Sequence, residues 1–589
     1  MKKYLLLLLS LVLLAGCQKD DPVMPTDPLP FPTDINKDLS VKPGDNFFYY
    51  CNGTWLKNAT IPEGKKIYGG LFVIVNTVRD RKAAFFEEDP MLSRLMAFAD
   101  DPQAREKNQA YIEKLLAMVP EPENATIDDY VRLVGKLHCM GVEKLLEEFH
   151  MSTPEGIIIP WLIPLVFADI TVDKGAIVPE PGAPKSKRFM ELLSESVGID
   201  PSLPLLSEKE IEGDDYAICM LVDKATLCNE IKKVIKSNDY SIDKLKEKIN
   251  ERARIYTEYL YTKKYVPAGT KEKYTAVCER LRTQYRKRIQ ALDWMSDATK
   301  TMAIEKLDAM KFNVAYPDNW REHVFPTLAQ VEACSSLLEA YMLLNAGNSS
   351  FFLDLCGKNV KDCQIDYWLA CGQSLTDPGA SYDTQTNAVY ICSSLLVPPL
   401  ISPDVTEAYT YAVFNIIGHE MTHGFDTDGV NYDKDGKEKN WWTAADKAAF
   451  EERQKMLVEC YNQLEIDPDL KPGVFCNGTV TLEENIADLG GVCLALDAYT
   501  ERLQQQGFTG EALKAQQRKF FECFADIWCC KYGTEFIDSR IEGNHPDKHA
   551  LPRERINGVV RNIDLWYDLY NVDPSNKLYL SPERRTRIW

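Results

Sequence analysis

Long apolar runs are nearly absent from this 589-residue sequence. The stretch from Ile157 to Ala168 is apolar, but Pro160 and Pro164 interrupt it, and it falls short of the ~20 residues that a membrane-spanning helix needs. Basic residues are also in deficit. Lys and Arg number 68 against 88 Asp and Glu, for a net charge of −20, which argues against nucleic acid or anionic lipid as a partner. No fixed-period repeat occurs, and no Cys-x-x-Cys pair that would mark a structural zinc ribbon or a redox motif. Histidine is scarce, with seven in all. Hydrophobic residues at 45% and charged residues at 26% are ordinary for a globular chain with room for several domain-sized units.

The N-terminus departs from this average. Met1-Lys2-Lys3 precedes an apolar segment, Tyr4 to Gly16, too short for a stable span, so residues 1–16 read as an export signal. The segment ends Leu14-Ala15-Gly16-Cys17, which resembles a bacterial lipobox and makes Cys17 the expected lipidated first residue of the mature chain. Gln18-Lys19-Asp20-Asp21 resembles a tag of surface lipoproteins, so an outer-membrane, surface-exposed location is expected. Residues 17–42 read as a proline-rich tether. The sixteen other cysteines form no compact disulfide framework, and many are expected to be small buried hydrophobes.

From about residue 90 to 365, apolar residues recur at three- and four-residue spacing, as in Ile242 to Tyr265 and Thr299 to Met310. After about 366 the texture changes to short β-prone pieces such as Ala388 to Cys392, then a helix at Glu407 to Phe425. The expected division is a mainly helical lobe over 43–365, whose first part packs on a mixed lobe over 366–589.

Two of the seven histidines stand in His419-Glu420-Met421-Thr422-His423. On a helix, positions i and i+4 share a face, so both imidazoles can reach one metal ion, with Glu420 beside them to address its water. At this composition the pattern arises by chance roughly 0.006 times per chain. Zinc requires a third protein ligand and one open position. A His six residues after the second is excluded, because Gly429 stands there, and no helix signature follows about twenty residues on. The better candidate lies 61 residues downstream, where Glu484 and Asp488 share a helical face, one able to bind the metal and the other to steady an imidazole.

These residues resemble the neprilysin, endothelin-converting enzyme and bacterial endopeptidase O family of zinc metallopeptidases. The resemblance is collinear: Asn46 to Tyr50 with Asn52 to Trp55, then Trp294-Met295 with Lys306-Leu307 and Tyr316-Pro317-Asp318, then Asn387 to Tyr390, Gly418 to Asp426, Trp441-Trp442, Glu484 to Asp488, Asp547-Lys548-His549 with Arg555 to Gly558, and Trp589. It implies a mainly α fold with a smaller β part, in which a thermolysin-like catalytic lobe and a helical lid surround a central cavity. It implies one Zn2+ held by His419, His423 and Glu484, with Glu420 as general base and Asp488 and Asp426 orienting the imidazoles. His549 is the implied oxyanion stabiliser and Arg555 the clamp on a substrate carbonyl. Asn387 and Ala388 are the implied holders of peptide backbone, and Ile527 and Trp528 the wall of an apolar pocket. Cleavage of short peptides before bulky hydrophobic residues follows from the resemblance. The rival is a surface lipoprotein that binds peptides or glycans with little hydrolysis. Glu483 and Leu489 depart from the family's Gly and Asn, Pro552 comes one residue late, and Asn52 and Thr586 replace family cysteines. The region around 169–190 departs from the family motif, and the helical lobe is somewhat trimmed.

Overall fold

The computed structural model describes residues 36–152, 156–163, 186–200, 203, 224–541 and 548–589. The expected signal, Cys17, most of the tether, Asp547 and residues 169–185 lie outside the described residues. Among the described residues helix dominates, and the named strands form three small sheets.

The chain opens on α1 (Phe47–Asn58), where the N-cap Asn46 side chain accepts from the Tyr49 amide. Although α1 precedes the helical lobe, it packs elsewhere. Phe48 N donates to Asn557 Oδ1 at 3.1 Å and Asn52 Nδ2 to Ala525 O at 2.9 Å, both near the chain's end. The fully buried Phe47 ring meets Trp566 edge-on at 5.8 Å. Strand β1 (Ile67–Gly69) then pairs antiparallel with β7 (Cys530–Tyr532), and α2 (Leu71–Glu88) leads away toward the helical lobe.

Among the described residues from there to 353 the chain is mainly a succession of helices, interrupted by the β2 (Glu147–Ser152) and β3 (Ile158–Ile163) hairpin that occupies the start of the apolar 157–168 stretch. The periodicity over 242–265 predicts one helix, but the backbone turns at Ala253 (ψ 1°), leaving α3 (Ile242–Arg252) and α4 (Arg254–Tyr265). The series ends in α5 (Thr270–Ala291) and α6 (Asp297–Ala309) and, further on, the helix Leu337–Leu353.

A three-stranded sheet bridges to the second lobe. Strand β4 (Lys311–Ala315) runs parallel to β6 (Ala388–Cys392), and β5 (Ala380–Asp383) runs antiparallel to β6 on its other side. The order β4-β6-β5 places β6 in the centre and β5 at an edge. The expected helix over 407–425 is two: α7 (Glu407–Val413) and α8 (Asn415–His423). The Asn415 side-chain amide donates to Ala412 O at the break, competing with the backbone ladder. There follow α9 (Ala444–Asn462), α10 (Leu482–Gln505), α11 (Gly510–Ile527), α12 (Thr534–Ile541) and α13 (Pro552–Val560). The larger of two hydrophobic clusters among the described residues runs from Phe47 to Trp589, where the terminal indole packs among Trp294, Trp442, Phe450 and Phe425.

Candidate metal centre

The centre sits where α8 crosses α10, and glycine sets how close that crossing can be. A Cβ on Gly491 would lie 2.4 Å from Asn415 O and 2.6 Å from His419 N. On the partner helix, a Cβ on Gly418 would lie 2.9 Å from Gly491 Cα. Glycine inside a helix costs about 1 kcal/mol relative to alanine, so these positions sacrifice local stability for backbone contact. The contact lets side chains of α10 reach those of α8.

His419 and His423 lie one turn apart on α8, with their Nε2 atoms 3.0 Å from each other. His419 Nδ1 stands 2.9 Å from Asp488 Oδ1, and His423 Nδ1 bonds Asp426 Oδ2. An ionised carboxylate only accepts, so each Nδ1 carries a proton, and in the neutral imidazole that a metal requires each Nε2 then turns a lone pair inward. Glu484 Oε2 lies 3.2 Å from one Nε2 and 3.5 Å from the other. That oxygen is buried and accepts no hydrogen bond of acceptable geometry. Two neutral imidazoles and an ionised carboxylate at this spacing direct three electron pairs at one point, an arrangement that a cation satisfies. A tetrahedral ion bound at ~2.0–2.1 Å separates its ligand atoms by about 3.3 Å, close to the three spacings here. The donor set, two neutral imidazoles and a carboxylate, suits zinc.

The surroundings are built to hold these groups. Asp488 forms a two-pronged pair with Arg555, Nε to Oδ2 at 2.8 Å and Nη2 to Oδ1 at 2.5 Å. Burial alone would push the Asp488 carboxyl up, but the Arg555 guanidinium and His419 hold it well below the usual range. The Arg555 guanidinium also lies over Trp528, its Cζ 3.9 Å from the ring centroid. Asp426 Oδ1 accepts from the amides of Asp428 (3.0 Å) and Gly429 (2.8 Å). Glu483 is half-buried, with burial first and the facing Asp426 carboxylate second pushing its carboxyl up to about 7.

Beside the donors opens a cleft of about 280 Å³, lined by Glu420, His419, His549, Arg555 and Trp528, with Leu71 and Phe72 of α2 opposite. Glu420 Oε1 stands 4.0 Å from His419 Nε2, next to the donor set rather than in it. His549 Nε2 lies 2.9 Å from Glu484 Oε2, and its ring stacks over that of His419 at 5.7 Å. Pro552 occupies the first turn of α13, where a missing N–H costs nothing, and the helix carries Arg555 to the cleft.

Three expected residues stand elsewhere. Asn387 and Ala388 do not line the cleft. Ala388 begins the central strand, paired with Lys311 on one side and Asp383 on the other, which leaves no backbone edge for a peptide. The Asn387 amide is spent inside the protein, donating to Lys306 O and Lys434 O and accepting from Tyr382. The strand at the cleft is instead edge strand β5, through Gly379 and Ala380. Ile527 is buried in the core at 2% exposure, leaving Trp528 as the wall residue of that pair. Residue-type reasoning also passes over Gly490-Gly491, although two glycines inside a helix signal a close approach.

Two family models described as "Peptidase family M13" match residues 247–317 and 379–586, and a model of the prokaryotic membrane lipoprotein lipid attachment site matches residues 1–18. Neprilysin of Homo sapiens is 31% identical over 321 residues, covering 51% of this chain and 40% of that protein. Neutral endopeptidase of Lactobacillus helveticus is 29% identical over 330 residues, covering 56% and 47%. These matches therefore span less than half the length of either relative. The zinc metalloprotease Zmp1 of Mycobacterium tuberculosis, solved in an open state, superposes with a TM-score of 0.71 at 21% identity, over 93% of this chain and all of that one. Family models, curated relatives and architecture agree on one assignment: the chain belongs to peptidase family M13.

Proposed function

We propose that this protein is a zinc-dependent endopeptidase acting on short peptides from a lipid anchor outside the inner membrane. The observation that carries the reading is the convergence of His419, His423 and Glu484, whose three potential ligand atoms lie within 3.5 Å of one another. Bound there, zinc supplies Lewis acidity and brings the pKa of a water down to about 7. The remaining work belongs to the chain. Glu420 borders the donors and the cleft, placed to take a proton from the attacking water and return it to the leaving nitrogen. His549, on the cleft side of the donors, is placed to donate to the oxygen that gains charge. Arg555 keeps one guanidinium nitrogen outside its paired contacts with Asp488, for a substrate carbonyl. Asp488 and Asp426 keep both imidazoles in the tautomer that presents Nε2.

Substrate class follows from the cleft. Edge strand β5 offers unpaired backbone to an extended peptide, and Leu71, Phe72, Trp528 and Leu551 supply apolar walls. We read residues 43–365 as the helical lid lobe and 366–589 as the catalytic lobe, with cleavage before Phe, Leu, Ile and similar residues and folded proteins excluded. Cys17 carries the lipid, and the outer membrane is the proposed site. Among the described residues no helix is long and apolar enough to cross a membrane. Digestion of a mixed peptide library with the metal-loaded protein, read by mass spectrometry, tests the reading. Internal cuts before bulky apolar residues are expected. Stepwise trimming, cuts mainly before charged residues, or no cleavage would refute it.

A further inference from the structure

The Asn387 side chain, diverted from the cleft, points to another role together with a buried lysine. Lys306 of α6 is 1% exposed, and its Nζ donates to Gly429 O at 2.6 Å and Tyr432 O at 2.8 Å. Asn387 Nδ2 donates to the backbone oxygen of Lys306 at 3.0 Å and to Lys434 O at 3.2 Å. Its Oδ1 accepts from Tyr382 on edge strand β5 at 2.9 Å. The two side chains therefore grip one segment, Gly429 to Lys434, at three carbonyls. That segment begins three residues after Asp426, whose Oδ1 is held by the Gly429 amide and whose Oδ2 bonds His423 Nδ1.

We propose that Lys306 and Asn387 are paired positioning residues that lock the Gly429–Lys434 segment and, through Asp426, set the orientation of the His423 imidazole toward the metal. The inference rests on the zinc reading above. Three features give it weight beyond ordinary packing. A buried ammonium is costly unless fully hydrogen-bonded, and this one spends its donors on carbonyls of a loop rather than on a carboxylate. Asp426, Asp428 and Asp433 all face it, so its charge offsets the acidic loop that carries Asp426. Burial lowers its pKa to about 8, which leaves it charged at neutral pH. Asn387 adopts φ +47°, a backbone conformation that asparagine tolerates and that aims its amide at both carbonyls.

The test measures zinc affinity by competition with a chromophoric chelator for the wild type, Lys306→Met and Asn387→Gly. Glycine keeps the positive φ without strain and removes only the amide. Thermal melts of the metal-stripped forms and separate KM and kcat values accompany each. Loss of an outer partner of a metal ligand typically costs 10–100-fold in affinity, so Lys306→Met should weaken zinc binding by about that factor and Asn387→Gly by about tenfold, with KM unchanged. The double variant should lose less than the product of the two, because both act on one segment. If Lys306→Met does not fold, Asn387→Gly decides alone. Variants that fold and hold zinc within about twofold of the wild type overturn the inference while the zinc reading stands. A wild-type chain that takes up no zinc overturns both.

Discussion

Gly491→Ala separates the stability of the fold from the integrity of the metal centre. The added methyl would sit 2.4 Å from Asn415 O, 2.6 Å from His419 N and 3.0 Å from His419 Cα. All three are backbone atoms of α8, so no side chain can swing aside. Ordinary contact begins near 3.4 Å, so the two helices must part by about 1 Å. His419 and His423 stand on one of them and Glu484 on the other. The donor spacings of 3.2 and 3.5 Å would then exceed 4 Å, whereas a zinc site tolerates deviations of only ~0.2 Å. Zinc affinity should fall by about 100-fold or more. Global stability should suffer far less. Overpacking costs ~1–3 kcal/mol, and replacing a helical glycine returns about 1 kcal/mol, for a net loss of about 0–2 kcal/mol. Chelator competition and urea melts of the metal-free protein measure the two quantities separately. Gly533→Ala is the control, since its Cβ would meet no heavy atom within 4 Å. Zinc affinity of Gly491→Ala within about threefold of the wild type would refute the reasoning.

Three further outcomes are expected. Glu420→Gln should retain zinc and lose about 10²–10⁴-fold in turnover, whereas Glu484→Gln should lose zinc; wild-type turnover in the first would remove Glu420 as the base. Cys17→Ser should move the protein from the membrane to a soluble exported fraction, and unchanged partition on cell fractionation would contradict the lipid anchor. Asp446 takes hydrogen bonds from Ser296, Thr299 and Thr443, which outweigh burial and hold its carboxyl at about 2. Its folded pKa lies below an unfolded value of ~3.9, so its stabilisation is full above that value and lost as pH falls through about 2; Asp446→Asn should flatten the stability curve across this window, and an unchanged curve in denaturant titrations refutes it.

What was legible in the sequence divides along a physical line. The helical character, the metallopeptidase family and the strand at Ala388–Cys392 could be read from periodicity, β-propensity and collinear motifs, because each is written in neighbouring residues. The i, i+4 histidine pair belongs to the same class, since one turn of α8 is enough to bring the rings together. Strand order does not. Composition carries only a partial sign of it, since β5 (Ala380-Ser381-Tyr382-Asp383) is half polar and half-buried whereas β6 is apolar and buried throughout; the order is fixed by β4, found 73 residues upstream on the far side of β6. The break at Phe414 is likewise invisible to periodicity, because an Asn side chain competing with the backbone leaves the apolar spacing unchanged.

The same distinction explains why the groups at the centre are easier to find than the groups that hold them. Metal chemistry restricts a ligand to a few residue types, so His419 and His423 stand out among only seven histidines, whereas Glu484, one of 88 acidic residues, is set apart by its helical spacing with Asp488 and by the family resemblance. A support is restricted only by what must be filled or gripped at its position. At the α8–α10 crossing that demand selects the absence of a side chain at Gly491; behind Asp426 it selects a lysine long enough to reach two carbonyls. Those supports come from α6, from the turn before β6 and from the middle of α10, segments far apart in the chain. The Trp589 indole closes the arrangement by packing on Phe425, next to Asp426. The proposed metal centre therefore draws on chain segments far apart in sequence, because the hydrogen bonds of Lys306 and Asn387 tie α6 and the turn before β6 to the Gly429–Lys434 segment. Zinc binding and closure of this core should accordingly be cooperative, with metal loss loosening the 425–434 loop before it loosens α10, whose crossing with α8 is held by backbone contact and needs no ion.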